Sequence, residues 1–398
     1  MRVAHLSAAL AAILVMVPAS GAAARGRGDV QVLALVPSPG FPALPLTVGG
    51  HIYEGTYDDP AGSPSPSRVL EYTSGGELLR SWTVQGQDVS KPHGIQAATY
   101  DSRGRLILLD QTSGRVLRLD PATGSQTLYS RVPDLPNCSS APAGAPCSQT
   151  ILDQAPMPDY AAWGPDGSLY LTDYQQAVIW RIPPGGGTAR IWLSSRVLDG
   201  GPFGTACILL MPDHRTLLFD QSSNGGLGGA NPTTGKVFEV PIEPGGGPGA
   251  LRQVWESAPA DAPDGCMLAR SGDIYVAMSG FSNQIVELSA SGQQISAFGQ
   301  AYSGANGSAI PFDTPSGLAW EGTALLIANQ SYIAESTADM AILSLETGEP
   351  GLPTFVPAGA GYTAAAAPRR HRTSRRRRRH HRAAGFARPP RRAVGFTG

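Results

Sequence analysis

LILLDQTSGRVLRLD, residues 106–120, sets two short apolar strands on either side of a loop, and its reading decides the fold. The second of them, Val116-Leu117-Arg118-Leu119, has five counterparts. They are Val69-Leu70-Glu71-Tyr72, Ile179-Trp180-Arg181-Ile182, Val237-Phe238-Glu239-Val240, Ile285-Val286-Glu287-Leu288 and Ile342-Leu343-Ser344-Leu345. The third position is polar each time, as in a strand partly exposed on one face. The copies stand 47 to 63 residues apart. The first strand, Leu106 to Asp110, returns as Leu169 to Asp173 and Thr216 to Asp220, with weaker copies ending at Met278 and Asn329. Turn signals such as DSRG, GPDG and RSGD precede several of these.

A third pattern opens each unit: Pro92-His93-Gly94, Pro158-Asp159-Tyr160, Pro202-Phe203-Gly204, Pro263-Asp264-Gly265 and Pro315-Ser316-Gly317, with Glu54-Gly55 standing in the first. A weaker fourth strand follows most copies. One four-stranded sheet of this length cannot bury both faces, whereas six stacked around an axis can. The expected fold is therefore all-β, a six-bladed β-propeller of four-stranded antiparallel blades. Two β-sandwich domains would leave six like units unexplained. The expected division is a signal peptide at 1–24, a lead-in at 25–45, the propeller at 46–360 and an arginine-rich disordered tail at 361–398. A strand from Val30 to Val36 in the lead-in is expected to close the ring on the last blade.

Export is read from the N-terminus: Met1-Arg2, an apolar run from His5 to Val17, and small residues from Ser20 to Ala24. That run is too short for a transmembrane anchor. Cys138, Cys147, Cys207 and Cys266 then fit an oxidising compartment. Cys138 and Cys147 flank the small-residue loop SSAPAGAP and are expected to pair. For Cys207 and Cys266, a bridge and two buried thiols both remain open.

In a propeller blade, the start of the first strand and the loop after the second share a rim. The openers read from the repeat are Glu54, His93, Asp159, Phe203, Asp264 and Ser316. Glu54, Asp159 and Asp264 on one axis would repel unless protons or a cation compensate. Oxygen ligands of this kind suit a divalent metal, calcium first, with zinc or manganese as alternatives. Against this, Asp-Gly is a common turn pair whose carboxylate bonds nearby amides. His93, Phe203 and Ser316 are the expected substrate contacts. Asp110, Asp173 and Asp220 are expected to fix the loops after their strands.

At these residues the chain resembles the senescence-marker-protein/gluconolactonase family of six-bladed propellers. The likeness rests on Glu54-Gly55, GPDGSLYLTD at 164–173, MPDHRTLLFD at 211–220 and APDGCMLARSGDIYVA at 262–277. It implies a divalent ion at the channel mouth and a lactone carbonyl attacked by metal-bound water. Glu54 would match the family glutamate, Asp159 its first asparagine, and Asp264 the aspartate that is both ligand and catalytic base. The second asparagine is replaced by Phe203 or Ala206, according to how the repeat is counted, and neither coordinates a metal. HGIQAATYDSRGRLILLD at 93–110 also resembles the yellow/royal-jelly-protein group, propellers that imply small-ligand binding. Two functions follow: a metal-dependent hydrolase of lactones or esters, or an exported, non-enzymatic propeller that binds a small ligand or a cell-envelope partner. No Gly-x-Ser-x-Gly elbow supports a serine hydrolase.

The near-neutral total charge conceals two different regions. Twelve arginines lie between Arg369 and Arg392, leaving 18 basic against 31 acidic groups in residues 1–368, a formal balance of −13. PRRHRTSRRRRRHHR has like charges in series and no apolar period to bury. On an exported monomer such a tail either attracts anionic cell-envelope polymers, with nucleic acid disfavoured, or is simply a solvated tail. Deleting residues 364–398 is expected to leave the propeller's Tm nearly unchanged; a large drop in a thermal melt would show that the tail packs on the body.

Overall fold

The structure, a computed structural model, describes residues 25–58, 64–225 and 233–363. The segment read as a signal peptide, 1–24, and all of the segment read as a tail, 361–398, except its first three residues lie outside these residues. Six sheets account for the body. Their first strands are Pro42–Val48, Ile95–Tyr100, Pro158–Trp163, Thr205–Leu210, Pro263–Leu268 and Pro315–Glu321. Each touches the first strand of the next sheet, and the sixth touches the first, so the six form a closed cycle around a channel. This is a six-bladed propeller. The one helical element lying wholly within the described residues is a 3-10 turn, Arg196–Leu198, and among the described residues no helix is long and apolar enough to cross a membrane.

The second strands explain why the blades stack. Side chains alternate along a strand, and in the second blade Leu106 and Leu108 enter the core shared with blade one, while Ile107 and Leu109 enter the core shared with blade three. Both faces are buried, so the strand reads as unbroken apolar sequence. Six hydrophobic clusters result, one at each blade interface. Full burial of each such Leu or Ile contributes roughly 1.5–3 kcal/mol, a gain that one isolated sheet forgoes.

The ring closes as expected. Val30–Leu35 pairs antiparallel with Ala341–Glu346 as the outer strand of the sixth blade, Val30 opposite Leu345 and Leu35 opposite Ala341. One disulfide joins Cys207 to Cys266 across the first strands of blades four and five, Cα atoms 5.5 Å apart, and another joins Cys138 to Cys147. Two disulfides are what an oxidising compartment permits.

The start of blade one differs from the sequence reading. Its first strand is Pro42–Val48, and Glu54 lies in the second strand, His51–Thr56, paired with Pro45 and Leu70. PALPLTV carries two prolines, which lack the amide a central strand needs and so resemble a lead-in. They are tolerated here because one edge of a first strand faces the channel instead of another strand.

Opposite the open mouth, a C-terminal segment crosses the ends of the first strands. Leu352 donates its amide to Leu268, Phe355 packs on His214, and Ser102 donates its amide to Ala360. The Arg103 guanidinium covers the Tyr362 ring at 3.8 Å, and the Tyr362 hydroxyl donates to Asp101. Gly361 and Tyr362 are thus held on the body.

Candidate ligand-binding cavity

Strand register identifies which residues reach the channel mouth. Pro42, Ile95, Pro158, Thr205, Pro263 and Pro315 pair with the ends of the second strands; in five blades a bulge follows directly, and in blade two it comes after Ala97. The residues after them are Ala43, Gln96, Asp159, Ala206, Asp264 and Ser316. Those after the second-strand partners are Tyr57, Gln111, Tyr174, Ser222, Ser279 and Gln330. All twelve except Ala206 line one cavity of about 470 Å³, completed by Phe41, Phe203, Phe281, Tyr332 and others.

Of the six openers read from sequence, Asp159, Asp264 and Ser316 stand in this ring. Ser316 donates to the Ala43 carbonyl at 3.1 Å. Phe203 lies on the cavity wall, edge-on to Tyr174, but Ala206 holds the ring position of its blade. His93 is not among the lining residues. Its Nε2 lies 2.7 Å from Asp58 and its Nδ1 2.9 Å from the Lys91 carbonyl, which ties together the loop between blades one and two.

Glu54 is off the cavity too. It is fully buried, and its Oε1 accepts the Ala43 amide at 2.7 Å. Burial pushes its pKa well up, against the pull of the Ala43 and Leu44 amides. Among the described residues the oxygens of Glu54, Asp159 and Asp264 form no group within 4.8 Å of one another. The four-ligand set implied by the family resemblance is therefore not assembled: alanines stand at two ring positions, and only two carboxylates remain.

Those two are held by neutral donors. Asp159 Oδ1 accepts from Gln111 Nε2 at 2.6 Å and Gln96 Nε2 at 2.9 Å, with the Tyr57 hydroxyl at 3.5 Å. Asp264 Oδ1 accepts from the Tyr160 hydroxyl at 3.0 Å. Burial and then the Asp264 charge push Asp159 well above the usual carboxylate range. Asp264 is pushed up to about 6, burial again the chief cause; its open side faces the cavity and protein encloses the rest. Burial and these carboxylates also raise the phenols of Tyr57, Tyr160 and Tyr174. A third acid, Asp220, lies near the amides of Ala206 and Cys207 without a well-formed hydrogen bond, and it too is pushed well up, by burial and then by Asp264 and Asp159.

Asp110 and Asp173 hold loops, as expected. Asp110 receives Arg115 and Ser113; Asp173 receives the amides of Met157, Gln175 and Gln176 and the Trp180 indole. Three non-glycine residues on the cavity wall have positive φ: Ala260 at 66°, Ala262 at 45° and Thr314 at 50°. Such conformations persist only where the surroundings enforce them; the Thr314 amide is pinned by Asn283 Oδ1 at 2.9 Å. Gly94 admits the Tyr57 ring, since a Cβ there would fall 2.1 Å from Tyr57 Cδ1.

No protein-family model matches the sequence, and no curated protein matches it. Solved structures share its fold. A protein described as a gluconolactonase superposes with TM-score 0.53 at 14% identity, covering 82% of this chain and 94% of that one. Regucalcin from Agrobacterium tumefaciens, described as calcium-binding, gives 0.53 at 15%, covering 81% and 94%. A luciferin-regenerating enzyme gives 0.51 at 11%, covering 80% and 95%. At these identities the likeness is one of fold, and it agrees with the first family resemblance noted in the sequence.

The raised Asp264 pKa has a definite sign for stability. The unfolded carboxyl ionises near pH 3.9 and the folded one near 6. The stabilising difference is thus full below about pH 4 and lost as pH rises through 6. Asp264→Asn removes that loss. The variant's Tm should match the parent's near pH 4 and exceed it at pH 7, by the equivalent of about 1–2 kcal/mol after allowing for the solvated side. Thermal melts across this range check it; a variant less stable than the parent at pH 7 would contradict the assignment.

Proposed function

We propose that this chain is an exported propeller that binds a small organic molecule in its central cavity, with its arginine-rich tail drawn to anionic cell-envelope polymers. The observation that carries the reading is the cavity: about 470 Å³, closed at the far end by the C-terminal segment, walled by aromatic rings, with two carboxylates in its ring of openers. Largely preformed apolar pockets with a few convergent polar groups are the usual form of small-molecule sites. Asp159 and Asp264, which line the same cavity without a counter-charge among its described residues, also support the metal-dependent lactone or ester hydrolase. That reading must do without Glu54 and without a ligand from Ala43 or Ala206, so no reaction step is assigned to a divalent ion, calcium or other.

The test is a thermal-shift panel of aromatic amines, alcohols and acids on the protein and on Gln330→Trp, which fills the cavity from a position that makes no side-chain hydrogen bond within the protein. Members of the panel should raise the parent's Tm and lose that effect in the variant. Equal shifts in both proteins would refute cavity binding. Stoichiometric calcium, zinc or manganese in protein purified without chelator would restore the hydrolase reading.

A further inference from the structure

The charged groups among the described lining residues of the cavity are all acidic. Asp159 and Asp264 are its only formal charges; no Lys, Arg or His occurs among the described lining residues. The amide nitrogens of Gln96 and Gln111 are already given to Asp159, so these two lining side chains leave it a neutral, hydrogen-bonded environment and no counter-charge. A buried carboxylate without a counter-charge is costly. The donors that protein side chains supply, from Gln96, Gln111, Tyr57 and Tyr160, are all neutral. What the two carboxylates lack among the described lining residues is a positive charge.

The walls narrow the choice further. Phe41, Tyr57, Tyr174, Phe203, Phe281 and Tyr332 all face the cavity. Phe203, Phe281 and Tyr332 are more than half exposed although large and apolar. Aromatic faces attract cations through the ring quadrupole, by about 0.5–2 kcal/mol each according to desolvation. They gain little from a hydrated divalent ion, which would keep its waters between itself and the rings. They gain from an organic cation, which buries its carbon against them.

We infer that the cavity selects an organic ammonium ion, its nitrogen beside Asp159 and Asp264 and its hydrocarbon part against the aromatic walls. This rests on the small-molecule reading above and adds the charge of the ligand. The balance of −13 over residues 1–368 favours approach of such a cation. The two carboxylates set the charge preference, and the exposed rings at the mouth set the preference for a bulky, apolar substituent.

Isothermal titration at pH 8 and low salt, with benzylamine, benzyl alcohol and benzoate as probes, tests it. Benzylammonium should bind at least about tenfold more tightly than benzyl alcohol, and benzoate should bind most weakly, since a close ion pair in a partly buried site is worth more than about 1.4 kcal/mol. Asp264→Asn should erase the preference for the amine over benzyl alcohol. Tyr332→Ala, at an exposed position that does not threaten folding, should weaken benzylammonium about 3- to 10-fold. Equal affinity for amine and alcohol would overturn the charge selection and leave small-molecule binding standing. No binding by any probe, together with equal thermal shifts in Gln330→Trp, would remove both. Displacement of benzylammonium by equimolar calcium chloride would overturn it in favour of a metal site.

Discussion

Second strands that are apolar on both faces cannot be satisfied within their own sheet. Leu106 and Leu108 need blade one while Ile107 and Leu109 need blade three, and the same holds around the ring. A chain built this way gains its hydrophobic stabilisation only when every blade has two neighbours. Closure is therefore the step that matters most, and the protein secures it with its first described strand. Val30–Leu35 completes the sixth blade, and Pro42–Val48 begins the first directly afterwards. Arg25 strengthens the seam with hydrogen bonds to Ser344 and Asp29.

Closure also determines where charge can go. The six first strands start at one mouth, and each sets the residue after its first pairing at the ring. Four of these six side chains are neutral, and two are aspartates. The far end of the channel is occupied by Leu352 to Phe355, so the carboxylates face a cavity with one entrance. Burial would ordinarily be answered by a salt bridge, as Arg115 answers Asp110 and Arg105 answers Asp101 elsewhere in the molecule. At the mouth no cationic side chain is supplied by the described lining residues. Groups held at such a cost to stability are characteristic of binding and catalytic sites.

Much of the fold was legible because the blade is a repeat and its third strand is the most regular part of it. All six copies of the pattern beginning with Val69 fall in third strands, and the ring-closing strand was visible as an apolar run at Val30. The site was less legible, for a local reason. Openers were located by Pro-x-Gly, yet the ring is defined by register against the second strand, and the bulges shift it. Asp159, Asp264 and Ser316 coincide under both rules. His93 and Phe203 precede their true ring positions by three residues, at Gln96 and Ala206. Glu54 entered the set because prolines at 42 and 45 hid the first strand of its blade. Tyr57, Gln111 and Tyr174 went unread as lining residues, although each directly follows the end of a second strand, and that spacing was available in the sequence. Pairing of Cys207 with Cys266 was decided by the adjacency of two first strands, which spacing alone does not reveal.

The central claim is that Asp159 and Asp264 form one buried acidic pair without a counter-cation, and carboxyl 13C NMR tests it most directly. The ligand-free protein, labelled at aspartate and assigned with Asp159→Asn and Asp264→Asn, is titrated from pH 3 to pH 8. The account predicts that the two carboxyls titrate as a coupled pair, that at least one still holds a proton near pH 6, and that removing either residue lowers the midpoint of the other. Two independent titrations near pH 4, each indifferent to loss of its neighbour, would show that the carboxylates are solvated and separate, and would contradict the account.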